Sequence, residues 1–140
     1  MRCECSTWIN RVKPNIQLPD TYRHLSIPEG IRSAMSRNPS KTAYKHGSNI
    51  RTYKDLVKRM DRISSGLLHH LKPSEDHAAI VASNSIEYME IVLGASQAGI
   101  PVATVNPKLS DKEIKTICDD AEAKILFVYK ASYITLANIV

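Results

Sequence analysis

The chain has 140 residues, of which 43% are hydrophobic and 24% are charged, and its mean hydropathy is -0.25. This length matches one ordinary globular domain, and the composition excludes a collagen-like chain, a disulfide scaffold and a largely disordered protein. The sequence contains no run of about 18 apolar residues, so we expect no membrane span. Because Met1–Asn10 lacks the apolar core of a secretory leader, we expect a cytoplasmic chain.

The formal net charge of +5 is unevenly distributed along the chain. Residues 1–72 carry an excess of Lys and Arg, whereas residues 73–140 carry an excess of Asp and Glu. Nucleic-acid binding would require basic groups on one surface with stacking aromatics between them, and aromatic residues make up only 6% of the chain. Most basic groups fall on the outer faces of predicted helices, so we expect a solvated surface and no nucleic-acid partner.

The first quarter of the chain divides into an arm and a short helix. Residues 1–25 show no periodicity and are expected to form an extended arm. Cys3-Glu4-Cys5 in this arm could be half of a zinc site, but no other Cys or His cluster lies nearby, so a chance origin is favoured. Ser26-Ile27-Pro28-Glu29 has the pattern of a capping box and predicts a helix that ends at Asn38-Pro39.

A hairpin and a long helix come next. Thr42 to Lys45 and Asn49 to Thr52 flank a turn at Gly47, which predicts a β-hairpin. Thr52-Tyr53-Lys54-Asp55 is a second capping box, and apolar residues recur behind it every three or four positions. This periodicity predicts an amphipathic helix that buries one face. Its buried residues are expected to be Leu56, Met60, Ile63, Leu67 and Leu71.

Strands and helices alternate through the second half of the chain. Three short apolar runs predict strands over Ala78 to Ala82, Val102 to Val105 and Lys124 to Tyr129. Two amphipathic helices separate them, with Ile86, Met89, Val92, Leu93 and Ser96 inward in the first and Ile114, Ile117, Cys118 and Ala121 inward in the second. We therefore predict an α/β fold, with a parallel sheet, flanking helices and a β-hairpin. Ala131 to Val140 is apolar enough to begin another helix, which indicates the incomplete N-terminal part of a larger fold.

Familiar catalytic patterns are missing from the sequence. Gly94 and Gly99 have the spacing of a phosphate-binding P-loop, but Ile100-Pro101 stands where the Lys and the Ser or Thr are needed. No Gly-x-Gly-x-x-Gly occurs, and none of the five histidines lies in a ligand-like cluster. Ser83 and Ser85 lie at a strand-to-helix junction without the glycines of a nucleophile elbow.

The position of two loops is more informative. Ligands of open α/β sheets bind at the carboxyl ends of parallel strands. Those ends are predicted to be Ser83-Asn84-Ser85 and Asn106-Pro107-Lys108. Lys108 lies just before a predicted helix N-terminus, where a phosphate-bearing ligand would suit both groups. An ordinary exposed lysine in a loop remains the alternative.

Five segments in the same order resemble the AMP-forming acyl-CoA synthetases, in the adenylate-forming superfamily. The segments are Thr52-Tyr53-Lys54-Asp55-Leu56, Asn84-Ser85-x-Glu87-Tyr88, Ala98-Gly99-Ile100-Pro101-Val102 with Asn106-Pro107, Leu109-Ser110-x-x-Glu113-Ile114, and Asp120-Ala121-x-Ala123-Lys124. The resemblance covers about residues 26–130. It divides the chain into the arm over residues 1–25 and a truncated N-terminal part of the AMP-dependent synthetase/ligase domain over residues 26–140.

The resemblance implies a reaction of the intact family in two halves. A carboxylate attacks ATP to give acyl-adenylate and pyrophosphate, and the thiol of CoA then displaces AMP. The family's phosphate loop, adenine motif, ribose-binding Asp and catalytic Lys are absent from this sequence, and the glycine that usually precedes Asp76 is replaced by Glu75. We therefore expect a fragment that is inactive alone, with no catalytic residue or metal site. ATP, Mg²⁺ and CoA are cofactors only of the intact family, which acts on small carboxylic acids.

One site carries over from the family. The basic residue after Asn-Pro lies near the place where the nucleotide phosphates of CoA dock, and Lys108 holds that position here, with Asn106 and Pro107 shaping the loop. The expected partner is the remainder of the synthetase. The alternative hypothesis is a non-catalytic interaction module that pairs with a separate synthetase chain.

Overall fold

The computed structural model describes residues 26–129, so the predicted arm over residues 1–25 and the predicted helix from Ala131 lie outside the described residues. In chain order the described residues form helix α1 (Ile27–Arg37), strands β1 (Thr42–His46) and β2 (Asn49–Thr52), helix α2 (Tyr53–His70), strand β3 (His77–Val81), helix α3 (Ile86–Ala98), strand β4 (Val102–Val105), helix α4 (Asp111–Asp120) and strand β5 (Ala123–Val128). The predicted alternation of strands and helices is confirmed. The bounds of β3 and β5 are displaced by one residue from the prediction.

Short polar side chains fix where the helices begin. Ser26, Thr52 and Ser110 each accept a hydrogen bond from the backbone N–H three residues on, and the acidic residue there accepts one in return. Such capping boxes satisfy two backbone donors that the helix itself leaves free. α3 ends at Gly99, whose φ of 71° is the left-handed conformation that glycine adopts without strain.

The strands form two separate sheets. β1 and β2 make the predicted antiparallel hairpin, with the turn at Gly47. The other three strands form a parallel sheet in the order β4-β3-β5, in which Val81 lies opposite Val105 on one side and Val128 on the other. β3 is therefore the central strand, which explains why four of its five residues are buried.

Helices cover both faces of the parallel sheet. Ala78 of β3 packs with Leu67 of α2 and Ala95 of α3 on one face. Ala79, the next residue, packs with Ile114 and Cys118 of α4 on the other face. This alternation is the two-residue period of a strand covered on both sides.

A third cluster joins the hairpin to the helices. Leu56 and Met60 of α2 pack against Leu93 of α3, and Ala43 and Tyr44 of β1 lie against them. Met60 is fully buried at this contact. The hairpin is thus attached to the α2–α3 pair rather than to the parallel sheet.

Three residues predicted to face inward are exposed, so that part of the prediction was wrong. Met89 and Ser96 of α3 are exposed, and so is Ile117 of α4. The buried stripe of α3 instead includes Glu90 and Gly94. Apolar residues occur all around α3, so their spacing could not mark which side would be covered.

The turn before β3 departs from the glycine-containing pattern of the family that the sequence resembles. Ser74, one position before Glu75, adopts a left-handed backbone with φ of 62°. The buried carboxylate of Asp76 accepts a 2.7 Å hydrogen bond from the N–H of Lys72 and pairs with the ammonium of Lys124 at the start of β5. These contacts hold the turn without the glycine.

Candidate functional site

A cleft of about 340 Å³ lies at the carboxyl ends of β3 and β4. We call it the strand-end cleft, and its lining residues are Ala82, Ser83, Asn84, Tyr88, Thr104, Val105, Asn106, Pro107 and Lys108. The two loops that the sequence singled out therefore meet. Asn106, Pro107 and Lys108, the predicted site residues, all line this one cleft.

The strand order explains why a cleft opens at this place. The chain leaves β3 through α3 to reach β4 on one side, and then leaves β4 through α4 to reach β5 on the other side. Because crossovers are right-handed, the reversal of direction places α3 and α4 on opposite faces of the sheet. The loops that follow β3 and β4 therefore diverge, and the crevice between them is the usual ligand position of an open α/β sheet.

On the side of β3, the wall of the strand-end cleft is formed by the loop after β3 and the beginning of α3. Ser85 is the N-cap residue, and its Oγ accepts a 3.1 Å hydrogen bond from the N–H of Tyr88. The carbonyl oxygen of Ser85 accepts a 3.4 Å hydrogen bond from the N–H of Met89. Asn84 just before the cap is exposed, so its amide is available at the mouth of the cleft. The partial positive charge of a helix N-terminus lies beside this wall.

The wall from the β4 loop is a turn held by Asn106. Its side-chain oxygen accepts a 3.0 Å hydrogen bond from the N–H of Lys108, and its backbone carbonyl accepts a 3.2 Å hydrogen bond from the N–H of Leu109. Asparagine often stabilises turns in this way, because its short side chain reaches the backbone two residues on. Pro107 restricts the backbone between them. The loop therefore presents the side chain of Lys108 from a defined backbone.

Lys108 is exposed and carries the positive charge of the cleft. Within residues 26–129, no carboxylate lies within ion-pairing distance of its ammonium group. An ammonium without a fixed partner is available to a ligand anion.

The N-terminus of α4 is a weaker binding site for an anion than the sequence predicted. The carboxylate of Glu113 already accepts hydrogen bonds from the N–H and the hydroxyl of Ser110, and these bonds lower the pKa of Glu113. Asp111 adds a second negative charge in the first turn. The end of α4 is thus supplied with negative charge by its own residues, so on this wall of the cleft Lys108 alone remains to attract a phosphate.

Two lining residues were given no role by the sequence analysis. Tyr88 lies in a matched motif, but its place in the cleft was not predicted, and Thr104 in β4 was not singled out. The spacing of Tyr88 could have revealed it, because a residue three positions beyond an N-cap lies on the same side of the helix as the cap. Thr104 follows from strand alternation only once the partners of β4 are known.

The adjacent histidines at the end of α2 and the two glycines with P-loop spacing lie away from the strand-end cleft. His69 and His70 are exposed at the end of α2, where their rings meet edge to face at 5.4 Å. Gly94 is buried in the middle of α3, and Gly99 ends that helix, so the two do not form a phosphate loop. Among the described residues, no group of three or more His, Cys, Asp and Glu side chains could hold a metal ion. Within residues 26–129, every helix is too short or too polar to cross a bilayer.

A comparison with family models matches residues 31–139 to the family described as AMP-binding enzyme. The chain belongs to this family. The match includes every helix and strand from β1 to β5, and it contains both walls of the strand-end cleft. The resemblance inferred from the five sequence segments is therefore confirmed at the level of the family.

Individual proteins and a solved structure are also similar to the chain. The chain is 32% identical over 138 residues to surfactin synthase subunit 2 of Bacillus subtilis, covering 82% of this chain and 4% of that protein. It is 24% identical over 137 residues to a long-chain-fatty-acid–CoA ligase of Salmonella typhimurium, covering 95% of this chain and 24% of the ligase. The solved N-terminal domain of FACL13 from Mycobacterium tuberculosis matches with a TM-score of 0.74 at 22% identity, covering 81% of this chain and 29% of that one.

The chain thus spans only a small part of these proteins. The 24% of the ligase that it matches is about one quarter of that protein's length. The structural likeness confirms an α/β fold of the kind found in the N-terminal domain of such enzymes.

Proposed function

We propose that this chain is the N-terminal portion of an AMP-forming acyl-CoA synthetase and that its strand-end cleft faces the phosphates of CoA. The single observation that carries the second part is the presence of Lys108, a cation without an ion-pair partner among residues 26–129, in the cleft at the strand ends. The family match and the ligase relative support the first part.

The residues of the cleft fit the anionic end of CoA. The ammonium of Lys108 would pair with a phosphate as a point charge, while Asn106 and Pro107 hold the loop that carries it. The amide of Asn84 and the hydroxyls of Ser83 and Thr104 add neutral donors and acceptors around the charge. This is a docking surface, which binds and orients a ligand and transfers no group.

The chain's own residues do not fit the chemistry of ATP. In the intact family, ATP and Mg²⁺ activate a small carboxylic acid, and the phosphates are stabilised by a Ser/Thr/Gly-rich loop with its lysine, which this sequence does not contain. Transfer of a nucleotidyl group needs groups that stabilise the charge on the reacting phosphates. We therefore propose that the chain alone has no ligase activity. Its cytoplasmic location is a separate prediction from the sequence.

Binding of CoA tests the role of Lys108. The 140-residue chain would be titrated with CoA and followed by backbone NMR, with pantetheine as the ligand that lacks the nucleotide phosphates. We expect Lys108→Ala to weaken CoA binding about tenfold, the loss typical of one charge-assisted contact. Lys112→Ala is the matched control, because Lys112 is an exposed lysine of α4 outside the cleft lining. Equal losses in both variants, or equal binding of pantetheine, would overturn the assignment.

Turnover tests the proposed inactivity. The purified chain would be supplied with ATP, Mg²⁺, CoA and a panel of carboxylic acids, and pyrophosphate release would be measured. We expect none above a control without the chain. Sustained release that depends on the acid would show that the chain is a ligase by itself.

The open edges of the parallel sheet favour a second candidate, a non-catalytic interaction module that pairs with a separate synthetase chain. Among the described residues, β4 and β5 each have only β3 as a neighbour. Ile125, Leu126, Phe127 and Val128 of β5 are only partly buried, as expected of a strand that another polypeptide covers. Size-exclusion chromatography with a chain that carries the phosphate loop separates the two candidates. A stable complex supports the module, and separate elution contradicts it.

A further inference from the structure

A buried carboxylate lies between the hairpin and α3, outside the strand-end cleft. Glu90 in the second turn of α3 is 1% exposed. Its Oε1 accepts a 3.1 Å hydrogen bond from Nε of Arg51 in β2, and its Oε2 accepts one from Nε of Arg59 in α2. Burying a carboxylate is costly unless such partners replace its hydration. The two guanidinium groups therefore fix the place of Glu90 between three elements.

The hairpin contacts α3 at a second point, through Tyr44 of β1. The Tyr44 hydroxyl donates a hydrogen bond of 3.4 Å to the carbonyl of Ile86, the first residue of α3. Burial and the nearby charge of Glu90 raise the pKa of Tyr44, so the hydroxyl keeps its proton at neutral pH and remains a donor. We call Tyr44, Arg51, Arg59 and Glu90 the Glu90 cluster.

The first two turns of α3 also form a wall of the strand-end cleft. Tyr88 lies two residues before Glu90 and lines the cleft, and Asn84 precedes the N-cap at its mouth. A helix turn is a rigid unit, so a contact that holds Glu90 and Ile86 also sets the position of Tyr88. The hairpin itself contributes no residue to the lining.

We infer that Glu90 is a positioning residue, which holds the wall of Asn84 and Tyr88 at a fixed distance from Lys108 through Arg51, Arg59 and Tyr44. This inference rests on the proposed role of the strand-end cleft as a CoA-facing site. It gives the hairpin a part in ligand binding, although the hairpin lies outside the cleft. A purely structural role for Glu90 would affect the whole fold evenly instead.

Amide hydrogen exchange in the 140-residue chain distinguishes the two roles. Glu90→Gln keeps the size of the side chain and removes its charge. We expect this variant to speed exchange of the Tyr88 and Met89 amides at least about tenfold more than that of Ala98 at the other end of α3, because only the first turns are released. Leu67→Ala is the control, since Leu67 lies in the core cluster of Ala95 and Ala98, away from the Glu90 cluster, and its loss should speed exchange of Ala98 more than that of Tyr88 and Met89. An even increase in Glu90→Gln overturns the inference.

Affinity for CoA gives the second readout, at a temperature where each variant is fully folded. We expect Glu90→Gln to weaken CoA binding roughly three- to thirtyfold, as found for residues coupled to a site through packed contacts. Leu67→Ala should bind CoA as the unchanged chain does. If the unchanged chain binds CoA and Glu90→Gln binds it equally well, the inference fails. If the unchanged chain does not bind CoA, the proposed function fails, and the exchange pattern alone decides the positioning of the wall.

A milder variant covers the case in which Glu90→Gln does not fold. Tyr44→Phe removes only the hydroxyl that reaches Ile86 and leaves both arginines on Glu90. The same local increase in exchange at Tyr88 and Met89 is expected, with a smaller amplitude. Exchange rates unchanged at both amides would contradict the contribution of the hairpin.

Discussion

Gly94 of α3 lies directly against Ile63 of α2. A Cβ atom built on Gly94 would come within 2.7 Å of both Cβ and Cγ2 of Ile63, and within 3.2 Å of the carbonyl oxygen of Met60. No ordinary packing contact is that short, so the absence of a side chain at this position permits the close approach of the two helices. The sequence lacks the residues that a phosphate loop needs after Gly94, and the structure identifies this glycine as a packing residue.

The first prediction compares two glycines in helices. We expect Gly94→Ala to lower the free energy of unfolding by about 1–3 kcal/mol, because the added methyl group forces α2 and α3 apart. Gly66→Ala should instead raise it by about 0.5–1 kcal/mol, since Gly66 is exposed in α2 with no atom within 4 Å of the added carbon and alanine favours the helix. Urea denaturation of both variants measures the difference, and equal effects would contradict this packing.

The second prediction concerns Glu122, the second residue after α4. Glu122 adopts a left-handed backbone with φ of 48°, and its N–H donates to the carbonyl of Asp119 at 3.0 Å. A non-glycine residue in this conformation costs about 1 kcal/mol, so Glu122→Gly should raise the free energy of unfolding by about that amount. Ala121→Gly is the control, because Ala121 has an ordinary helical backbone and should lose stability on the same substitution. Thermal or urea denaturation measures both, and a loss of stability in Glu122→Gly would contradict the reason given.

The third prediction concerns acid. The ammonium of Lys124, followed by the N–H of Lys72, lowers the pKa of Asp76 below its usual range. The ionised form is thus favoured in the folded state, so its stabilisation is present above the unfolded pKa of about 3.9 and is lost as the pH falls through the lower folded value. We expect the free energy of unfolding to fall less steeply below about pH 4 in Asp76→Asn than in the unchanged chain.

The partner of Asp76 provides the check. Lys124→Met should flatten the same part of the pH profile, because it removes the first cause of the lowered pKa. Urea denaturation between pH 3 and pH 7 measures all three proteins. Parallel profiles would show that Asp76 does not contribute to acid stability.

The fourth prediction uses two isoleucines of the same helix. Ile114 of α4 is 1% exposed against the sheet, whereas Ile117 is 37% exposed. Ile114→Ala should therefore lower the free energy of unfolding by about 2–5 kcal/mol, and Ile117→Ala by less than about 1 kcal/mol. The apolar spacing of α4 predicted inward positions for both residues. A similar loss in the two variants, measured by urea denaturation, would restore that assignment.

Local chemistry made much of the fold predictable. Ser26, Thr52 and Ser110 begin their helices as expected, because a capping box satisfies its own backbone donors and needs no distant partner. The apolar spacing of α2 predicted its buried face for a similar reason, since its opposite face is uniformly polar. In both cases residues close together in the sequence determine the structural outcome, so one sequence suffices to predict it.

The buried face of α3 could not be predicted in the same way. Its centre is Glu90, a charged residue that is buried only because Arg51 and Arg59 reach it from elements far away in the chain. Periodicity counts a carboxylate as a surface residue, so it directed Met89 inward and Glu90 outward. Contacts between distant charges decide such positions, and one sequence does not display them.

The candidate site was half predictable. The rule that ligands bind at the carboxyl ends of parallel strands pointed to Asn84 and Lys108 before the strand order was known. The order β4-β3-β5 supplied the rest, because only the reversal at β3 makes the two loops diverge into a cleft. Sequence alternation alone is equally compatible with a sheet in which the strands follow one another.

The central position of β3 also has a consequence for how the chain folds as it is synthesised. Ala78 and its neighbours leave the ribosome before either of their partners, and β5, with Ile125 opposite Ala78, is made last of the three. Such distant pairings must wait for long loops to close, which slows folding. Until β5 emerges, one side of an almost wholly apolar strand has no neighbour, so a nascent chain arrested within α4 should be a preferred substrate for chaperones.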